Sequence, residues 1–264
     1  MKADGRLKID SRRQRILDQL ARDGQVRVSQ LAEALGTTQV TIRSDLSALE
    51  RDGFLEKIVG GALQTVKNFY NMELMQRRQH NAENKRAIAA SAAALVNDGE
   101  TLFINSGTTT LFTAMELKRR RHLNVVTNSL AVAMELGTAS TFRVQLLGGE
   151  INVQYAFTYG TSALEQLRLF KADKTFLSVD GVRADAGFST YHAEEAAINR
   201  AMMERSRQTI IVADSSKLGH ESFSFIANLS SAAVWVTNEG GDSDALREVE
   251  NAGLKIIKSV TQPV

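Results

Sequence analysis

The hydrophobic period of this chain changes once, near Lys85, and that change limits what it can fold into more than any other feature. Before it, apolar residues recur at helical spacing in short, charged segments. After it, short apolar runs alternate with helical stretches. The only proline is Pro263, so Pro-rich linkers are missing and boundaries must be read from periodicity. Residues 9–64 read as a small helical domain and residues 85–264 as an α/β domain. Residues 65–84 read as a partly helical connector carrying Phe69, Tyr70, Met72, Leu74 and Met75.

In the first part, Ile16, Leu17 and Leu20 mark one face of a helix from about Arg12 to Arg22, stopped by Asp23-Gly24. Ser29 is expected to cap a second helix with Leu31, Ala34 and Leu35 inward. After a turn at Gly36, a third helix is expected from about Thr38 to Asp52-Gly53, with Ile42, Leu46 and Leu49 at i, i+4 and i+7. The stretch Phe54 to Gly61 reads as a short hairpin closed by glycines. This is the layout of a winged helix-turn-helix.

The polar side of the third helix carries the chemistry. Val40, Ser44, Ser47 and Arg51 point away from the apolar stripe, with Thr41 and Arg43 on the flanks. Small hydroxyls and an arginine can enter a major groove and reach base edges, whereas a bulky or acidic face cannot. An ordinary solvated helix has a similar composition. The complete helix–helix–turn–helix–wing order is what points to double-stranded DNA as a partner. The candidate DNA-reading residues on this helix are Thr38, Gln39, Thr41, Arg43, Ser44 and Ser47.

Beyond Lys85 the strands read as Thr101–Asn105, Asn124–Thr127, Arg143–Leu147, Thr175–Val179, Thr209–Ala213, Ala233–Val236 and Lys255–Lys258. Helices fall between most of them, at Lys85–Val96, Thr109–Lys118, Leu130–Leu136, Thr161–Leu169, Glu194–Ser206 and Ser243–Ala252. Such alternation gives a mostly parallel, Rossmann-like sheet covered on both faces, with ligands beyond the carboxyl ends of the strands. Those ends are polar. The first strand runs into Asn105-Ser106-Gly107-Thr108-Thr109-Thr110, a hydroxyl-rich loop opening a helix, which suits a phosphate. Thr108 or Thr109 as a plain helix cap fits the same residues. Asn128, Asp180 and Asp214-Ser215-Ser216-Lys217 end other strands. There Lys217 can supply a cation and Asp180 can accept from sugar hydroxyls. A capping Asp214 and a solvated Lys217 are the plainer alternatives. Glu194 and Glu195 open a helix, where the dipole alone favours them. Convergence on one rim points to a small polyhydroxylated phosphate ligand.

Composition excludes several other classes. Apolar residues are 43% and charged residues 23%, as in globular proteins, and the net charge of +2 does not by itself argue for nucleic acid. Without cysteine there is no disulfide, thiol nucleophile or thiolate metal site. No two of His80, His122, His192 and His220 lie at a metal-ligand spacing, so no metal and no cofactor are expected. Met1 to Asp10 lacks the apolar core of a secretory signal, and no run approaches the ~18 apolar residues of a membrane helix. A cytoplasmic location is expected.

Two stretches resemble the DeoR family of bacterial regulators. Arg12 to Ala62 resembles its helix-turn-helix through Thr41-Ile42-Arg43-Ser44-Asp45-Leu46, Leu49-Glu50, Gly53 and Gly60-Gly61-Ala62. Lys85 to Lys217 resembles its sensor domain through Ser106-Gly107-Thr108-Thr109, Thr127-Asn128, Gly148-Gly149, Asp180-Gly181, Gly187-Phe188-Ser189-Thr190, Glu195-Ala196 and Asp214-Ser215-Ser216-Lys217. The resemblance implies a homo-oligomeric DNA-binding regulator of sugar catabolism, usually a repressor, released by a phosphorylated sugar. It places the effector on Ser106, Gly107, Thr108, Thr109, Thr110, Asn128, Asp180, Glu195 and Lys217, and a DNA contact on Lys57 of the wing. Three positions depart from the family pattern: Ser44 and Lys57 stand where arginine is common, and Asn105 where aspartate is common. The sensor also resembles sugar-phosphate isomerases of the ribose-5-phosphate type. Their second aspartate falls on Arg183 and their catalytic lysine near His192, so no catalytic residue is assigned. An isomerase fused to a DNA-binding head is the alternative reading. A sheet domain serving only for oligomerisation leaves the polar strand ends unexplained.

Overall fold

The structure, a computed structural model, describes residues 11–51, 54–64 and 74–259. It divides into two compact units that meet at Asn81/Ala82.

In the first unit, helices α1 (Ser11–Asp23), α2 (Val28–Ala34) and α3 (Gln39–Arg51) bury Ile16, Leu20, Val28, Leu31, Ala32, Ile42, Leu46 and Leu49 in one core. The expected hairpin is present as β2 (Leu55–Ile58) and β3 (Gly61–Gln64), paired antiparallel. It gains a third strand, β1 (Gln25–Arg27), which pairs with β3. That strand corrects the expectation for α2. The chain runs from β1 straight into the helix, and the Val28 N–H donates to the Gly60 carbonyl at 2.9 Å. A side-chain cap is therefore not needed: Arg27 holds the cap position without one, and Ser29 lies inside the first turn. Ala34 is exposed and Ala32 takes its place in the core. The expected stop at Asp52-Gly53 lies outside the described residues, as do Phe69, Tyr70 and Met72. A short helix, α4 (Leu74–Gln79), packs on α1.

The second unit opens on α5 (Ala82–Ala93), three residues earlier than its apolar pattern suggests. Seven parallel strands follow: β4 (Thr101–Ile104), β5 (Asn124–Thr127), β6 (Arg143–Leu146), β9 (Ala172–Leu177), β12 (Ser206–Val212), β14 (Val234–Asn238) and β15 (Ile256–Ser259). Their order is β15-β14-β12-β9-β4-β5-β6. Side chains alternate across the sheet. Leu102, Ile104, Phe176, Ile210, Val212, Val234 and Val236 line one face, packed on α5, α6 (Thr108–Leu117) and α7 (Leu130–Leu136). Phe103, Leu177, Ile211 and Trp235 line the other, packed on α8 (Thr161–Leu167), α9 (Ala193–Glu204) and α10 (Ser243–Asn251). Burying one such side chain contributes about 1.5–3 kcal/mol, so the two layers set the sheet's register.

Short antiparallel additions sit beside this sheet. One is the hairpin β7 (Glu150–Asn152) and β8 (Phe157–Tyr159). The other joins β10 (Gly181–Arg183), β11 (Gly187–Thr190) and β13 (Ser224–Ala227). The chain winds outward from β4 through β5 to β6, then from β9 the opposite way. The β4/β9 junction is therefore a topological switch point, where α/β sheets open a crevice beyond the strand ends. No helix among the described residues is long and apolar enough to cross a membrane.

Candidate functional site

Two polar surfaces stand out, one in each unit. In the head, Thr38 caps α3, its Oγ1 accepting the Thr41 N–H at 3.2 Å. Its hydroxyl also pairs with that of Thr41 at 2.9 Å, so both are drawn into the cap. Gln39, Val40, Arg43 and Ser44 remain exposed on the outer face. Arg43 donates to the Gln39 Oε1 at 3.2 Å, which holds both side chains together one turn apart. Lys57 reaches from β2 to α3, its Nζ donating to the Ser47 Oγ at 3.0 Å, and its backbone N–H donating to the Glu50 carboxylate at 3.0 Å. The wing lysine and the helix serine thus form one surface.

Asp45 lies on the opposite side of α3, and its role was not legible in the sequence. Its carboxylate is buried and accepts from Arg12 Nε at 2.5 Å and Arg13 Nε at 3.1 Å. Burial alone would raise its pKa, but the two guanidiniums from α1 more than offset that and hold it below the usual carboxylate range.

In the second unit the carboxyl rim is built around Asn105, the first residue after β4. Its side chain spans the switch point, Oδ1 accepting the Ser178 N–H at 2.9 Å and Nδ2 donating to the Ser178 carbonyl at 3.0 Å. The same Nδ2 donates to Asn199 Oδ1 on α9 at 3.0 Å. An aspartate here has no proton for either acceptor. Asn105 is thus a neutral brace, fully buried, rather than a ligand contact. Gly107 follows at φ 152°, and a Cβ there meets the Ser178 Cβ at 2.6 Å, so only glycine lets the loop approach β9.

Above this brace runs a chain of hydrogen bonds. Asn128 Oδ1 accepts the Ser106 N–H at 3.1 Å. The Ser106 hydroxyl donates to one carboxylate oxygen of Glu195, and the other accepts from the Thr190 hydroxyl at 2.8 Å. Asp180 Oδ2 lies 3.0 Å from the same hydroxyl and accepts the Tyr191 N–H at 3.1 Å. Ser106, Asn128, Asp180 and Glu195, taken from four separate stretches, therefore meet.

Thr108 and Thr109 occupy the first turn of α6, where Gly107, and neither threonine, holds the cap position. The first intrahelical bond there is the Leu111 N–H to the Gly107 carbonyl, so the preceding amides form the positive end of the helix. Thr110 is different: its fully buried hydroxyl donates to the Asn105 and Gly107 carbonyls, at 3.0 Å each, and shapes the loop from within. Lys217 lies in a short 3-10 turn capped by Asp214, after β12. That turn is tied to β10 by the Gly219 N–H on the Val182 carbonyl. Burial, and then the Lys217 ammonium, lower the pKa of His220. No hydrogen bond among the described contacts joins the Lys217 turn to Ser106.

Sequence reasoning assigned Asn199 no role in the site. It sits one turn after Glu195 on α9, a spacing that puts both on one helix face. Its Nδ2 is buried without a hydrogen-bond partner. The positions matching the isomerase pair are engaged otherwise. Arg183 forms ion pairs with Asp185 and Glu221, and His192 packs edge-on against Tyr155 and Tyr191 with ring centroids 4.6 and 5.1 Å apart.

A winged helix-turn-helix head on a parallel α/β domain, with polar groups gathered at the switch point, defines a class: transcription regulators that join a DNA-reading head to a sensor domain. The model of the DeoR-like helix-turn-helix domain matches residues 12–67, and that of the DeoR C terminal sensor domain matches residues 80–239. A putative aga operon transcriptional repressor of Escherichia coli O157:H7 is 32% identical over 248 residues, covering 93% of this chain and 92% of its own. The lactose phosphotransferase system repressor of Lactococcus lactis subsp. lactis is 32% identical, over 78% of this chain and 82% of its own. The transcriptional regulator GlpR of Haloferax volcanii is 30% identical, over 95% and 98%. The chain belongs to the DeoR family and is a DNA-binding transcriptional regulator. A ribose 5-phosphate isomerase A from Methanocaldococcus jannaschii overlaps 52% of this chain and 54% of its own at 16% identity and a TM-score of 0.39. An overlap at that level says nothing of function.

Proposed function

We propose that this regulator represses an operon for the catabolism of a sugar or sugar derivative and is released by a phosphorylated sugar. The observation that carries the reading is the hydrogen-bonded run from Asn128 through Ser106 and Glu195 to Thr190 and Asp180, set against the first turn of α6. The helix end and the Ser106–Thr109 loop receive the phosphate, with Thr110 fixing the loop and Lys217 supplying positive charge. Asn128, Asp180 and Glu195 orient the hydroxyls. The names of two relatives, a putative aga operon repressor and a lactose phosphotransferase system repressor, support a sugar-related target. The protein acts in the cytoplasm as a homo-oligomer, because paired half-sites need paired heads. It is not an enzyme. Arg183 is held by two carboxylates and His192 is packed among aromatics, which leaves no acid–base pair at those positions for moving a proton between carbons.

The test is a gel shift of the full chain on DNA flanking its own gene, with a panel of phosphosugars and their unphosphorylated forms. Release by one phosphosugar and by no free sugar is the expected result. Product analysis after incubation with the same panel should find every phosphosugar unchanged. Steady turnover proportional to protein would overturn the regulator-only reading.

A further inference from the structure

Val40 is the one large apolar side chain of α3 left open to solvent, at 73% exposure. Nothing among the described residues of the head accounts for it. The α3 residues that make the core are Ile42, Leu46 and Leu49, on the opposite face. A β-branched residue is a poorer helix former than alanine, so helix propensity does not favour it either. Its position does give it a use. Val40 is the second residue of α3, and recognition helices present their N-terminal residues to base edges. Its neighbours on the outer face are polar: Gln39 and Arg43, joined by a hydrogen bond, and Ser44 one turn on. Ser44 is small, so it leaves the isopropyl group unobstructed. One apolar knob in a polar reading surface matches the one apolar feature of the major groove, the C5 methyl of thymine.

We propose that Val40 is a specificity-determining residue that packs on a thymine methyl in each half-site, beside the base reached by Arg43. The inference rests on the DNA-binding reading of the head and adds a base identity to it.

The experiment uses full-length protein and an operator duplex selected by that protein from a randomised library. Each thymine is then replaced in turn by deoxyuridine, which keeps base pairing and removes only the methyl. For one thymine per half-site, wild type should lose about 3- to 10-fold in affinity, the scale of one buried methyl contact. Val40→Ala should bind the thymine duplex about that much more weakly and bind the thymine and deoxyuridine duplexes equally. Alanine favours helix, and melting by circular dichroism should show α3 unharmed. Two results overturn the inference alone: specific binding by wild type with no methyl-sensitive thymine, or methyl sensitivity that survives in Val40→Ala. If the selection yields no duplex bound better than a scrambled one, the DNA-binding reading falls and the inference falls with it.

Discussion

At the scale of single residues, two buried groups decide whether each unit holds together. Asp45 ties α3 to α1 through Arg12 and Arg13. Asp45→Asn removes the charge that pairs both guanidiniums. These are partly exposed and can be rehydrated, so the cost should be about 1–3 kcal/mol rather than the full penalty of an orphaned buried charge. The pH dependence follows from the depressed pKa. The unfolded carboxyl takes up a proton at a higher pH than the folded one. Its contribution is therefore present in full above the unfolded pKa and is lost as pH falls through the folded one. Melting curves of the full chain from about pH 7 to pH 3 should show wild type converging on Asp45→Asn in acid. A constant gap would mean that the pairing does not stabilise the head. Asn105→Asp tests the other unit. A carboxylate would face the Ser178 carbonyl with no proton to give, costing about 1–3 kcal/mol. Thermal unfolding of the sensor should move down accordingly, and an unchanged midpoint would show that the brace is dispensable.

At the scale of elements, what was legible follows from where a signal has a period. All seven parallel strands were visible, most of them as short apolar runs alternating with helices, although β6 is the largely exposed Arg143–Leu146. The antiparallel additions were not. Gly181–Arg183 and Gly187–Thr190 are three and four residues long and carry glycine, too short for alternation to register. The start of α2 was misread because Ser29 is a good cap in isolation, whereas the wing's Gly60 carbonyl does the capping through space. In the site, Ser106, Asn128 and Asp180 were legible because each follows a strand and Glu195 because it opens a helix. The Asn105–Asn199 link was not, since its partners stand 94 residues apart. The loop between β4 and α6 gives the prediction at this scale. In Gly107→Ala the new methyl meets Ser178 at 2.6 Å and has to push β4 and β9 apart or bend the loop. Effector affinity should fall at least about tenfold, and the sensor should lose about 1–3 kcal/mol of stability. Operator binding without effector should persist, since the head folds around its own core. Calorimetry and gel shift on the same preparation separate the two effects. Unchanged effector affinity would remove the loop from the site.

At the scale of the whole molecule, the proposed function requires that two ligands on two units oppose each other. A ligand shifts an equilibrium only by its differential affinity for the two states. In the proposed site, one hydrogen bond stands where a phosphate would compete. The Ser106 hydroxyl is given to Glu195, which ties the β4 loop to α9. On the proposed reading, a phosphate oxygen competing for that proton would loosen the tie, and binding would favour a different arrangement of the loop and α9. Thermodynamic linkage then fixes a reciprocal result. If effector weakens operator binding by some factor, operator weakens effector binding by the same factor, and a coupling of about 1–3 kcal/mol corresponds to about 5- to 150-fold. Calorimetric titration of the phosphosugar that releases DNA, with and without saturating operator, should return that factor from both directions. Thr108→Ala and Lys217→Ala should keep operator affinity and lose most of the coupling, giving a repressor that no longer responds. Unequal factors would mean that release is not an equilibrium between two binding events. A normal response in both variants would place the phosphate elsewhere than the first turn of α6.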